Sequence, residues 1–208
     1  MTFAELREFV RREIVVDDYE DAFENADLDD VLWKASYEVA AALDIPRAIT
    51  TSSVAADALT VTAPANCARV HSLSIGGDDG LQMSVQQIYR MRPGSSRPLR
   101  YFNFDPRRAD AILIAPPSVG GTAVIEYTLT LTRPSPFDTG EPWGGVLPQF
   151  HPMIAYRAAI SLFQMDEREN EVQHWQNEYQ LRLAEVSHFL GGTSTPAYLL
   201  SLPQGGSQ

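Results

Sequence analysis

Hydrophobic residues change period twice along these 208 residues, from helical spacing to alternation and back. A chain patterned that way folds helices from its two ends and strands from its middle. At the start, Phe3, Leu6, Val10 and Ile14 make one apolar stripe, which predicts a short helix to about residue 14. Thr2-Phe-Ala-Glu5 has capping-box spacing, in which the threonine hydroxyl accepts from a helix amide while the glutamate reaches back. An acidic stretch, Asp17 to Asp30, leads to a second helix with the stripe Leu28, Leu32, Ala35, Val39 and Leu43. Asp27, Asp29 and Asp30 sit at its positive end. Trp33 and Tyr37 widen its apolar face, and Pro46 ends it.

From Ile49 to Arg133, short runs rich in Val, Thr and Ile are broken by turn residues, which predicts strands at 58–63, 67–75, 99–104, 110–115 and 122–132. Gly76-Gly-Asp-Asp-Gly80 is a hairpin turn of the kind that needs positive φ. In the last run Ala123, Ile125, Tyr127, Leu129 and Leu131 face one way. Thr122, Glu126, Thr128, Thr130 and Thr132 face the other, as in a half-buried strand.

A proline- and glycine-rich connector, Arg133 to Pro148, carries Trp143. Helical spacing returns with Phe150, Met153, Ile154, Ala158, Leu162 and Met165. Asp166 to Glu169 has capping-box spacing and opens a last helix with Val172, Trp175, Tyr179, Leu183, Val186 and Leu190 on a narrow seam. Gly191-Gly192 supplies its C-cap. The expected fold is α+β, with N- and C-terminal helices packed as a helical bundle and an antiparallel β-rich domain inserted between them. The domain reading is residues 1–48 for the N-terminal helices, 49–133 for the β-rich domain, 134–192 for the connector and C-terminal helical pair, and 193–208 for an extended tail.

The formal net charge of −11 is concentrated, for residues 1–44 hold 13 acidic and 4 basic side chains while residues 45–208 hold 14 and 12. That sign repels phosphate at long range, which disfavours tight duplex binding and suits a channel through which DNA passes without sticking. An acidic face also serves simply to keep a protein in solution. No run of about 18 apolar residues occurs, so no membrane partner is expected. MTFAELREFVRREI lacks the apolar core of a signal peptide, so the chain is expected to work on the cytoplasmic side unless a particle carries it elsewhere. The lone Cys67 rules out an internal disulfide and an all-cysteine metal site.

Motifs that carry chemistry are scarce. The single lysine, Lys34, lies in a helix far from any glycine run, which excludes a phosphate-cradling loop and favours a solvated helix position over a Schiff base. His71, His151, His174 and His188 lack metal-ligand spacing, and the last two are about 21 Å apart along one helix. Asn25, Asp27 and Asp29 begin like a calcium loop, but Asp30 stands where its turn needs glycine and Ser36 where it needs glutamate. Gly94-Ser95-Ser96 is no nucleophile elbow. No catalytic residue, metal ligand or cofactor is therefore expected. One basic segment stands out: Arg90, Arg92, Arg97, Arg100, Arg107 and Arg108, opposed only by Asp105. These arginines are candidates for subunit–subunit contact rather than nucleic acid, because Tyr101, Phe102 and Phe104 fit a strand core better than a stacking platform.

The order of these segments resembles the head-to-tail adaptor (head-completion) proteins of tailed bacteriophages. The resemblance is carried by Phe3-Ala-Glu-Leu-Arg7, the helix bearing Trp33, Tyr101-Phe-Asn-Phe104, Ile112-Leu-Ile-Ala-Pro-Pro117 and Gly121 to Tyr127. It continues through Phe137-Asp-Thr-Gly-Glu-Pro142 and Leu147-Pro-Gln-Phe-His-Pro-Met-Ile154. Trp143-Gly-Gly145 and the arginine-rich 90–108 segment depart from the family pattern.

The resemblance implies a structural virion protein with no enzymatic activity. It implies a homo-oligomeric, dodecameric ring on the portal protein that extends the DNA channel and offers a surface to a downstream neck or tail protein. Genomic double-stranded DNA would pass without sequence-specific binding, with assembly in the host cytoplasm and a final place in the virion neck. Family members send a C-terminal arm onto the portal, which makes Tyr198, Leu199, Leu200 and Leu202 the portal-contact candidates. Apolar residues in a linker-like tail fit ordering on a partner, with docking on their own subunit as the competing reading. Phe150 and His151 match the family's helix start, with packing as their expected role.

Three rivals make different demands. Another phage neck or tail ring, or a tail-completion protein, would differ only in its partner. A small soluble hydrolase would gather dispersed Asp and His groups in a pocket. An acidic cytoplasmic binding module would stay monomeric.

Overall fold

Burial follows the two sequence periods. The computed structural model describes residues 1–15, 23–91, 96–105, 111–145 and 147–190, and its elements are mixed helix and sheet, an α+β chain. Two units emerge, Met1–Ile45 with Thr132–Gln208, and Pro46–Leu131.

The first unit opens with α1 (Phe3–Phe9), which runs into a π-helical turn at Val10–Ile14. Its capping box is made: the Glu5 amide donates to Thr2 Oγ1 at 3.2 Å, and the Thr2 amide to Glu5 Oε2 at 2.7 Å. The stripe Phe3, Leu6, Val10 and Ile14 is buried, and the wider π turn brings Val15 to the same side. Then α2 (Asn25–Leu43) buries Leu28, Leu32, Ala35, Val39 and Leu43, and ends at Asp44 in the left-handed conformation. Tyr37 departs from expectation, since it is 53% exposed and widens no buried face.

The second unit runs β1 (Arg47–Ala56), β2 (Thr60–Thr62), β3 (Cys67–Ile75), β4 (Asp78–Asp79), β5 (Leu81–Gln82), α3 (Val85–Met91), β6 (Tyr101–Phe104), β7 (Ala111–Ala115) and β8 (Val119–Leu129). The strands form two four-stranded sheets, ordered β1-β8-β3-β4 and β2-β7-β6-β5. A core containing Val61, Val70, Leu73, Phe102, Ile112, Ile114, Ala123 and Ile125 is buried within this unit. Gly76 and Gly77 take φ of 62° and 93°, the positive values that the tight β3–β4 hairpin requires.

Three features correct the sequence reading of this unit. The sheets are not wholly antiparallel, because β5 pairs parallel with β6. Parallel neighbours need a crossover, and α3 lies in the connection that supplies it. The ten-residue β1 lies before the predicted runs, and α3 falls between them. Of the β1 residues only Val54 is buried, and of the α3 residues only Ile88, so neither carried an apolar period. The last strand spans Val119–Leu129, and beyond it the Thr130 amide donates to the Asn66 carbonyl at 2.7 Å.

The chain returns to the first unit through the connector and α4 (Pro152–Met165), which is apolar on nearly every side because it packs on α1, α2 and α5 (Glu169–Phe189). Met153, Ile154, Ala158 and Leu162 are buried as expected, whereas Met165, at the end of the stripe, is 68% exposed. The seam of α5 is shorter than its spacing promised, for Leu183 and Val186 are buried but Leu190 is exposed. The predicted capping box at Asp166–Glu169 is not made. Asp166 closes α4, Glu167 turns the chain with φ 56°, and α5 starts after Arg168 with no side-chain cap.

Candidate functional site

Several segments that carried the family resemblance meet at the start of α1. A helix leaves its first amides without partners. Here the Phe3 amide donates to the Gly140 carbonyl at 2.9 Å and the Ala4 amide to that of Asp138 at 3.3 Å. The Phe3 ring stacks on Phe137 at 4.3 Å between centroids and meets Trp33 edge-on at 6.3 Å. Arg7 reaches both neighbours, Asp29 of α2 at 2.7 Å and Asp138 of the connector at 2.5 Å. Burial alone lowers the pKa of that guanidinium, but the hydrogen bonds and charges of Asp138 and Asp29 outweigh it and leave the pKa raised.

Trp143 closes the joint. It is buried with φ 54°, and its indole N–H donates to the Ser36 carbonyl at 3.0 Å. Its ring also meets His151 edge-on at 5.3 Å. His151 is fully buried, with Nδ1 3.1 Å from the Met1 carbonyl oxygen. Phe150 sits beside it and packs edge-on against Phe189 at 5.4 Å. Both residues thus occupy packing positions, and the exposed carboxylate of this joint, Asp138, is paired with Arg7.

The other reactive side chains are dispersed. His71 Nε2 lies 2.6 Å from Thr128 Oγ1, His174 packs edge-on against Trp175, and His188 is in the last turn of α5. Burial pushes the Cys67 thiol pKa up, against a backbone hydrogen bond from Arg69 that lowers it. Among the described residues no three metal-binding side chains come together, and no described helix is long and apolar enough to cross a membrane. A hollow of about 220 Å³ beside α4 has Tyr156 and Arg182 as its titratable lining. An open dish along α1 carries Glu5, engaged in the cap, and Glu8, which pairs with Arg12 at 3.4 Å.

The basic segment belongs to the second unit. Arg90 lies in the last turn of α3, and Arg97 is held by its amide, which donates to the Pro117 carbonyl at 3.0 Å. Arg100 precedes β6, and its carbonyl accepts from the Leu81 amide at 2.8 Å. All three side chains are exposed, and none forms an ion pair with a described carboxylate. Arg92, Arg107 and Arg108 lie outside the described residues, as do Tyr198, Leu199, Leu200 and Leu202. Sequence reasoning missed the apolar company of these arginines: Leu81 is 69% exposed and Met91 44%. A lone leucine after Gly80 in a run without alternation was the available signal.

Fold and surfaces together define an α+β protein whose buried polar joints serve packing and whose conspicuous chemistry lies on exposed faces. Residues 1–198 match the family model described as SU10 adaptor protein, and the chain belongs to that family. It is a phage adaptor protein, as the resemblance implied, and its family places it among virion proteins that contact other head and tail proteins. A search of curated proteins returned no match.

Proposed function

We propose that this chain is a head-to-tail adaptor that forms a ring on the phage portal, extends the DNA channel and offers the attachment surface for neck or tail proteins. The observation that carries this reading is the family match over residues 1–198. The ring is dodecameric and sits in the virion neck after assembly in the host cytoplasm. Genomic DNA passes it without sequence-specific binding, in keeping with the net charge of −11. The chain has no catalytic role.

In this reading the helices of residues 1–48 and 134–192 form one bundle, and residues 49–133 form the inserted β-rich domain. The contacts of α4 with α1, α2 and α5 support the bundle. The tail, 193–208, binds the portal through Tyr198, Leu199, Leu200 and Leu202. The arginines Arg90, Arg92, Arg97, Arg100, Arg107 and Arg108 serve contacts between copies.

The test is the native mass of the purified chain, alone and with its cognate portal. A defined mass many times the 23.1 kDa of one copy, formed alone or on the portal, is the expected result. A chain that stays monomeric and ignores the portal at high concentration would overturn the reading.

A further inference from the structure

Net charge divides with the two units. Met1–Ile45 with Thr132–Gln208 hold 21 acidic and 8 basic side chains, whereas Pro46–Leu131 hold 6 and 8. One unit is therefore strongly acidic and the other weakly basic. A ring repeats a single head-to-tail contact between unlike surfaces. The attractive pairing sets the basic unit of one copy against the acidic unit of the next.

Within the basic unit, one edge is suited to that contact. The two-residue β5 is the outer strand of its sheet, and it carries the exposed Leu81. Arg100 is joined to Leu81 by the backbone hydrogen bond already described, and α3, which packs on β6 and β7, ends in the exposed Arg90 and Met91. Apolar side chains among arginines are the composition of a protein interface core. Phosphate rewards only the cations, and the chain's net charge of −11 opposes a duplex.

In the acidic unit, many carboxylates are already committed. Glu8, Asp29, Asp30 and Asp138 pair with Arg12, Arg7, Arg133 and Arg7 respectively. Glu13, Glu24 and Asp27 are exposed and form no ion pair with a described residue. Arg11 holds their elements together by donating to the Phe23 carbonyl at 3.2 Å and to Asn25 Oδ1 at 2.8 Å.

From this charge division we infer that the β5–α3 edge, through Leu81, Met91, Arg90 and Arg100, docks on a second copy at the start of its α2, around Glu24 and Asp27. The inference rests on the ring reading above and names the two faces of its repeated contact.

Two full-length variants test it, Arg90→Glu with Arg100→Glu, and Glu24→Lys with Asp27→Lys. All four positions are exposed, so circular dichroism should match the wild type, and melting should fall only by the small helix-dipole cost, about 0.3–1 kcal/mol, of lysines at the start of α2. Each variant alone should lose assembly by about tenfold or more, read as native mass against concentration. An equimolar mixture should restore it, because each variant then presents to the other the unlike charge that its own copies lack. Raising salt should weaken the wild-type assembly. Variants that assemble alone like the wild type, or a mixture that stays dispersed, overturn the contact. A basic-edge variant that keeps its mass but loses binding to a duplex DNA fragment overturns it in favour of nucleic acid. Failure of the wild type itself to assemble, with or without portal, strikes the ring reading instead.

Discussion

Phe3 stacks on Phe137 with ring centroids 4.3 Å apart and planes inclined by 25°. The contact joins the first helix to the connector that follows the β-rich unit, so the two ends of the first unit share one aromatic joint. Phe3 is also fully buried. Replacing it by alanine removes the ring and leaves a cavity, at a cost of about 3–5 kcal/mol. Phe3→Leu keeps most of the volume but loses the aromatic geometry, for about 1–2 kcal/mol. Equilibrium denaturation in urea checks both values. Equal, negligible losses would mean that the connector is not held at this joint.

Trp143 binds the same connector to α2 through its hydrogen bond to the Ser36 carbonyl. Trp143→Phe deletes that donor from a buried site and should cost about 1–3 kcal/mol. The same denaturation experiment reads it, with Trp143→Ala as the larger loss. A Trp143→Phe protein as stable as the wild type would show that the hydrogen bond contributes nothing net.

At Glu167 the chain reverses between α4 and α5 with φ 56°. A side chain in that conformation is strained by roughly 1–2 kcal/mol, which glycine avoids at some entropic cost. Glu167 is exposed and forms no ion pair with a described residue, so little else is lost. Glu167→Gly should therefore raise stability by about 0.5–1 kcal/mol, and Glu167→Val should lower it. A destabilised glycine variant in thermal unfolding would refute this account of the turn.

The stripes Phe3–Ile14 and Leu28–Leu43 were legible because each element has one buried face. For the same reason β3 and the centre of β8 could be read from alternation. What escaped has an equally physical cause. As an edge strand with only Val54 buried, β1 can use Thr, Ser and Ala on both faces. A single buried residue, Ile88, anchors α3, and one point has no period. The false capping box at Asp166 arose because acidic residues near a helix start serve chain reversal as readily as capping. Among the candidate arginines, charge was visible in the sequence, as was Met91 next to Arg90, but the place of Leu81 beside Arg100 depended on the strand order. His151 was legible as part of the family's helix start and Trp143 as a departure from the family pattern, whereas their mutual packing required the fold.

Burial raises the Cys67 thiol pKa, and the sign of its linkage to stability follows directly. The unfolded chain releases this proton near pH 8.5, while the folded chain retains it to higher pH. The stabilisation is fully present below that unfolded value and is lost as pH rises through the folded one, where the unfolded state binds fewer protons. As pH rises above about 8.5, wild-type denaturation midpoints should therefore fall more steeply than those of Cys67→Ala. The same burial should slow alkylation of the native thiol relative to the urea-unfolded chain. Parallel midpoint slopes for the two proteins would contradict the linkage.

Deleting residues 193–208 should separate folding from attachment. The described helices and both sheets end before this segment, so thermal melting and self-assembly should persist in the truncated chain. Portal binding should fall by tenfold or more, about 1.4 kcal/mol, if Tyr198, Leu199, Leu200 and Leu202 bury apolar surface on the portal. The loss should stay below the sum of four buried side chains because ordering the tail offsets part of their burial. Sedimentation of the adaptor with its portal reads the binding directly. Full affinity after truncation would move the portal contact to the folded units, and loss of self-assembly without loss of melting temperature would assign the tail to the neighbouring copy.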